Sequence, residues 1–199
     1  MPTNSIEKEH GWVSVTEVLD AFIPKGLLDW YLKTGKKEAK RLSTVAMKIG
    51  TRVDELIQED VKFGAYKLTS KDPIEVKNCM EAWKQFKQDY EPNIRAIQVE
   101  VKEPREKVIG HIDLITDRII DVKCSASIKD NYDIQVSKYD YMYTDKPFIT
   151  EPPAILRLDK NLATYEYRIV KDKDTCVKVF DGLLTAFRYY NPQRGEETI

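Results

Sequence analysis

The sequence predicts a mixed α/β (α+β) fold, a central mixed β-sheet flanked by helices, and three observations predict it. Apolar residues recur every three or four positions through 43–64 and again through 74–90, the spacing of helices with one buried face. From Arg95 the period changes to two, and β-branched residues dominate as far as Ser125. Beyond Pro147, Pro152 and Pro153 a further strand pair and a closing amphipathic helix complete the pattern.

Each element has local reasons. Residues 14–34 carry helical spacing with Ser14 or Thr16 as caps, and Pro24 followed by Gly26 divides them into two short helices. A longer helix is expected from Ser43, with Val45, Ile49, Val53, Leu56, Ile57 and Val61 on its core face and Gly64 as its stop. Met80, Trp83, Phe86 and Tyr90 lie on or near the buried stripe of the next helix, which Pro92 ends. RAIQVEVKE, VIGHIDLIT and RIIDVKCS then read as an antiparallel meander, with EPREK as the first turn. Asn131 caps a helix through YDIQVSKYDYMY, AILRLDKN and ATYEYRIV form a hairpin, and Val177, Val179, Phe180, Leu183, Leu184 and Phe187 mark the last helix.

With 42% hydrophobic and 33% charged residues in 199, the chain has enough apolar material to bury a core, which excludes general disorder. One domain is expected over 1–190, made of N-terminal helices over 1–42, a core over 43–145 and a C-terminal hairpin and helix over 146–190, with a mobile tail over 191–199. No run approaches the roughly 18 apolar residues of a membrane span, and the first residues lack the apolar stretch of a secretory signal. The expected compartment is the cytoplasm, that of the host if the chain is phage-encoded. Cys79, Cys124 and Cys176 are odd in number and widely spaced, which fits reduced thiols, and no CxxC pair suggests zinc.

A formal charge of −1 denies the molecule a global basic footprint. Within residues 24–41, however, Lys25, Lys33, Lys36, Lys37, Lys40 and Arg41 face only Asp29 and Glu38. The patch can track phosphates. A solvated helix face with the loop after it accounts for the charge equally well.

The apolar run VIGHIDLITDRIIDVKCS carries Asp113, Asp121 and Lys123. Alternation puts Asp121 and Lys123 on one side of their strand, and a three-residue connection at Thr116, Asp117 and Arg118 sets Asp113 across from Asp121. The same register joins Ile112, Leu114, Ile120 and Val122 into one apolar face. Opposed carboxylates repel, so the arrangement calls for a compensating cation, either Lys123 or a hard divalent ion with oxygen ligands. An ordinary salt-bridge cluster on an exposed sheet face would use the same residues.

This pattern resembles the PD-(D/E)xK nuclease superfamily, whose core hairpin carries an acid followed by (D/E)xK. GHID supplies Gly110 and Asp113, and DVK supplies Asp121 and Lys123. QVSKY, with Gln135 and Tyr139 one helical turn apart, is similar to the QxxxY of the RecB-like branch, and SVTEVLDAFIPKGLLDWYLKTG is similar to the start of phage-type exonucleases. IGTRVDELIQE fits the N-terminal helix of these families except that Asp54 stands where they carry a metal-binding histidine, with Glu55 as the alternative ligand.

The resemblance, over roughly residues 13–145, implies a restriction-endonuclease-like core and a metal-dependent deoxyribonuclease acting on DNA ends or single strands. It implies one or two Mg²⁺ or Mn²⁺ ions on Asp54, Asp113, Asp121 and the Val122 carbonyl, with Asp113, Asp121, Lys123, Gln135 and Tyr139 as the catalytic set. Lys123 would orient or deprotonate the attacking water. Gln135 and Tyr139 would position the scissile strand or the lysine, and the patch from Lys25 to Arg41 would hold the DNA backbone. His111 is a candidate phosphate contact and Glu100 a candidate outer ligand. Three cysteines without paired spacing predict no iron–sulfur cluster. A homo-oligomer is allowed, since ring-shaped trimers occur among relatives. A structure-specific endonuclease or junction resolvase on the same core, and a nuclease fold reduced to a DNA-binding module, are the alternatives.

Overall fold

The computed structural model describes residues 11–22, 25–144 and 147–192; Pro24, the Lys25 side chain and residues 193–199 of the expected tail lie outside it. In chain order the elements are β1 (Val13–Ser14), α1 (Val15–Asp20), α2 (Lys25–Thr34), α3 (Lys36–Phe63), α4 (Ile74–Tyr90), β2 (Ala96–Glu103), β3 (Val108–Ile115), β4 (Ile119–Lys123), α5 (Asp130–Met142), β5 (Ala154–Leu158), β6 (Tyr165–Ile169) and α6 (Lys173–Tyr190). No helix among the described residues is long and apolar enough to cross a membrane.

As the sequence predicts, a central mixed sheet is flanked by helices. β2, β3 and β4 form the antiparallel meander, β4 pairs with β5 in parallel, and β5 and β6 form the expected hairpin. β2 occupies the whole of one edge of β3. On the other edge β1 joins in parallel at Val108 and Ile109, whereas β4 joins only at Leu114 and Ile115. Gly110 to Asp113 therefore line a fork between β1 and β4.

Both faces of the central strands β3, β4 and β5 are covered, which is why these strands read as nearly continuous apolar runs while β2 and β6 alternate. On one side Ile49, Val53, Leu56 and Ile57 of α3 and Met80, Trp83 and Phe86 of α4 pack with Leu114, Ile120, Leu156 and Leu158. On the other, Val136 and Tyr139 of α5 and Phe180, Leu184 and Phe187 of α6 pack with α1 and with Val108, Ile112, Ile115, Ile119 and Ile155. Burial of each such side chain contributes about 1.5–3 kcal/mol before entropy is counted.

The caps follow elementary chemistry. Ser14 Oγ accepts from the Glu17 amide at 3.0 Å, and Gly64 ends α3 in the left-handed conformation at φ 70°.

Three expectations are corrected. The long helix begins at Lys36, not Ser43, so Lys36 to Arg41 are helical rather than loop. Its first two turns are good helix formers held by a two-bonded Arg41–Glu38 pair at 2.9 and 2.7 Å, but they lack an apolar stripe, and Val45 is exposed. α5 begins two residues early, with Lys129 rather than Asn131 at its cap. Finally, Ile112 and Leu114 do not share a face: they belong to the cores on opposite sides of the sheet. Their partners Val99 and Ile97 divide in the same way, because Gln98 between them is left-handed at φ 51°. Both strands change the face they present at the Gln98/Asp113 level.

Candidate active site

The change of face delivers Asp113 to the fork. Ladder pairing of β3 with β4 follows the predicted register at Leu114/Ile120 and Ile115/Ile119, and then stops. One step further the Val122 amide donates to Asp113 Oδ2 at 2.7 Å, so a side chain replaces the ladder bond and wedges the strands apart.

β4 places Asp121 and Lys123 on one side, two residues apart, as alternation requires. Asp121 is 2% exposed. Lys123 Nζ donates to its Oδ1 at 2.9 Å and lies 2.8 Å from Oδ2. That second contact is an ion pair without hydrogen-bond geometry, and Asp121 Oδ2 is buried with no hydrogen bond of its own. Lys123 also sits 5.2 Å from the centroid of the Tyr132 ring.

From the opposite layer, α3 brings Gly50, Val53 and Asp54 over the fork. With Asp113, Val122, Lys123 and Cys124 they line a cleft of about 200 Å³. Glu55 lies outside it, paired with Arg52 at 3.2 Å.

Gln98 is the site residue that the sequence reading missed. Its Nε2 donates to Asp54 Oδ1 at 2.8 Å and reaches Asp113 Oδ1 at 3.5 Å, tying α3 to β3 across the cleft. A left-handed backbone at a residue other than glycine costs about 1–3 kcal/mol and clusters at functional sites. The EPREK turn carried a usable signal: counting back from it sets Gln98 opposite Asp113.

Electrostatics follow from burial and crowding. Burial, with the charge of Asp113 added, raises the Asp54 carboxyl to about 6. Burial also raises Asp121 to about 6 although Lys123 opposes the shift, and it raises Asp113. For Lys123 burial works against the charge, yet Asp121 and Asp113 outweigh it and hold the ammonium protonated. The cleft is short of positive charge.

Gln135 and Tyr139 stand behind it. Their one-turn spacing lets Gln135 Nε2 donate to Tyr139 Oη at 2.9 Å. Both are buried, so they wall the site from inside rather than present themselves to a strand in solution. Burial and the negative charge of Asp121 raise the Tyr139 phenol, while Lys123 pulls it down, which puts the ring in electrostatic reach of both.

The remaining candidates lie elsewhere. His111 and Glu100 are cross-strand partners, with Nε2 and Oε2 3.6 Å apart, and neither lines the cleft. Lys33, Lys36, Lys37, Lys40 and Arg41 are exposed on α2 and the first turns of α3, with Arg41 engaged by Glu38. Cys79 and Cys124 are distant in sequence but in contact, and their hydrogen bond is the main reason that the Cys124 thiol is pushed well above its ordinary range.

Among the described residues, no three metal-binding side chains form a ready-made cage. The donor set nevertheless fits a hard divalent cation. Asp54 and Asp113 offer carboxylate oxygens hydrogen-bonded to neutral groups, Gln58 and Gln98 for the one and Gln98 and the Val122 amide for the other, and Asp121 offers a buried oxygen that has the Lys123 ion pair but no hydrogen bond.

In overall shape the chain is similar to two solved structures. One is the alkaline exonuclease LHK-Exo from Laribacter hongkongensis, 13% identical, covering 96% of this chain and 98% of that chain at a TM-score of 0.43. The other is a phage related exonuclease from Haemophilus somnus 129PT, 14% identical, covering 90% and 92% at a TM-score of 0.46. No family model and no curated protein matches the sequence. Likenesses of this degree leave the chemistry to be read from the cleft itself.

Proposed function

We propose that this protein is a metal-dependent deoxyribonuclease that hydrolyses phosphodiester bonds at DNA ends or in single strands. One observation carries the reading: Asp54 of α3, Asp113 of β3 and Lys123 of β4 line one cleft, and the buried Asp121 carboxylate stands directly behind it, ion-paired with Lys123 at 2.8 Å.

Asp54, Asp113, Asp121 and the Val122 carbonyl would hold Mg²⁺ or Mn²⁺. Bound there, the cation supplies Lewis acidity towards a phosphate oxygen and a more acidic water. The chain supplies the rest. Asp113 fixes β4 through the Val122 amide, which holds Asp121 and Lys123 at the mouth of the fork. The Lys123 ammonium orients the attacking water and stabilises the charge that gathers on the phosphate oxygens, as fixed positive groups do in phosphoryl transfer. Tyr139 and Gln135 keep water and motion from the back of the site, and Tyr132 steadies the lysine.

A near-neutral protein must find its polyanion locally. Lys36, Lys40, Gly50 and Asp54 fall on one strip of α3 by three- and four-residue spacing. Lys40 stands about 21 Å along the axis from Asp54, a reach of about six nucleotide steps at 3.4 Å each. These lysines would hold the backbone well away from the bond being cut.

Wild type and Lys123→Ala should be compared on linear and circular, single- and double-stranded DNA with each metal. The expected result is cleavage of linear or single-stranded DNA by wild type, and retained binding without cleavage by the variant. DNA binding without cleavage by wild type would make the chain a binding module, and rapid nicking of closed circles would make it an endonuclease.

A further inference from the structure

Beside the cleft lies a second, larger cavity of about 620 Å³, in the range of roughly 300–1,000 Å³ typical of small-molecule sites. It opens between the end of α1, α2 and the start of α5. Phe22, Leu27, Trp30, Ile128 and Tyr132 give it an apolar, largely aromatic wall. Tyr132 is common to both places: it lines this cavity while its ring carries the Lys123 ammonium at 5.2 Å. Asp20, also in the wall, is raised by burial and drawn back by Lys123, which places it within reach of the same charge.

The polar groups restrict the occupant. Among the described residues of the wall Asp20 and Asp130 outnumber Lys129, which disfavours a phosphate and accepts an uncharged group. Asn131 is in the same wall, and its Oδ1 is buried without a hydrogen bond. A flat, uncharged group with a hydrogen-bonding edge satisfies aromatic rings and amide together. A nucleobase is such a group, and every base has a face to stack.

We infer that this cavity takes one unpaired nucleobase of the strand whose backbone crosses Lys123, stacked among Trp30 and Tyr132 with its edge at Asn131. The inference rests on the nuclease reading and sharpens it. A base in a duplex cannot enter without leaving its stack, so the substrate is a single strand or a frayed end.

The test walks one abasic site along a single-stranded oligonucleotide and measures binding to the Lys123→Ala protein with Mg²⁺ by fluorescence anisotropy. The same oligonucleotides are given to wild type for cleavage. At one position the abasic site should weaken binding about tenfold, the loss of one stacked base. Adding Trp30→Ala should abolish that sensitivity, and so should Leu27→Trp, which fills the cavity without removing an aromatic ring; thermal melts confirm that both remain folded. Insensitivity at every position, or sensitivity unchanged in both variants, would overturn the inference. Wild type that cuts DNA but ignores abasic sites leaves the nuclease reading standing and removes the cavity from it. Wild type that cuts nothing, with abasic sensitivity intact in binding, removes the nuclease reading and keeps the cavity as a base site. Failure to bind any oligonucleotide removes both.

Discussion

The ring of Tyr139 lies on the backbone of Gly110, so close that a β-carbon at 110 would come within 2.7 Å of Cδ1 and nearer still to Cε1. The glycine before Asp113 and the tyrosine one helical turn after Gln135 are thus two halves of one contact. Tyr139 can approach the fork only because position 110 has no side chain.

Gly110→Ala should therefore destabilise the protein by about 1–3 kcal/mol, the usual cost of forcing atoms into a packed interior. In a Tyr139→Ala background the same change should cost far less. Urea denaturation of the four proteins of the cycle measures the coupling, and strictly additive losses would refute the contact.

The acidic cleft makes stability depend on pH. Asp54 and Asp121 reach about 6 in the folded state against an ordinary 3.8, so the folded protein binds more protons than the unfolded one between those values. Metal-free stability should then fall as pH rises from about 4 to about 6, and Mg²⁺ or Mn²⁺, which favours the ionised carboxylates, should stabilise more at neutral pH than at about pH 5. Asp72 acts in the opposite sense: its hydrogen bonds with Arg52 and Thr69 hold it at about 2, so its contribution is lost as pH falls from about 4 towards 2. Melting curves with chelator and with metal across this range check both slopes. Asp121→Asn should flatten the first and spare the second.

Gln98 shares its amide between Asp54 and Asp113. Gln98→Leu should lower metal-free stability by about 1–3 kcal/mol, the cost of leaving buried acceptors without a donor. The deficit should shrink when Mg²⁺ is present, because the cation then takes the place of the amide. A deficit that ignores metal would place Gln98 outside the site.

Gly50 lies in the middle of α3 with nothing within 4 Å of where a β-carbon would stand. Packing does not require a glycine there, and Gly50→Ala should stabilise the helix by about 0.5–1 kcal/mol. The added methyl projects from a residue that lines the cleft, so cleavage should slow as stability rises. Gains in both would mean that substrate does not approach this part of the helix.

Lys36→Ala with Lys40→Ala should weaken DNA binding and flatten its salt dependence, by about 0.7–0.9 in log–log slope for each phosphate that a lysine no longer neutralises. An unchanged slope would take the first turns of α3 out of the binding surface.

Much of the site was legible because it is local. The Thr116 to Arg118 connection sets the Leu114/Ile120 register, alternation sets Asp121 beside Lys123, and helical spacing sets Gln135 against Tyr139. Each depends on a period or a turn a few residues long. The first turns of α3 were not legible, since a solvated helix of lysines and glutamate has no apolar stripe to reveal it. Nor was the separation of Ile112 from Leu114, which falls at the level where the neighbouring strand holds the left-handed Gln98.

The sequence by itself determined the elements, the hairpin register and the identity of the charges, because these follow from backbone periods and turn lengths. Tertiary structure alone decided that Gln98 reaches Asp54, that Gly110 makes room for Tyr139, that Cys79 meets Cys124 and that an aromatic cavity adjoins Lys123. Those contacts join residues about 30 to about 100 positions apart. They are set by how layers pack on the sheet, and no local pattern in the chain encodes which distant side chains the packing will bring together.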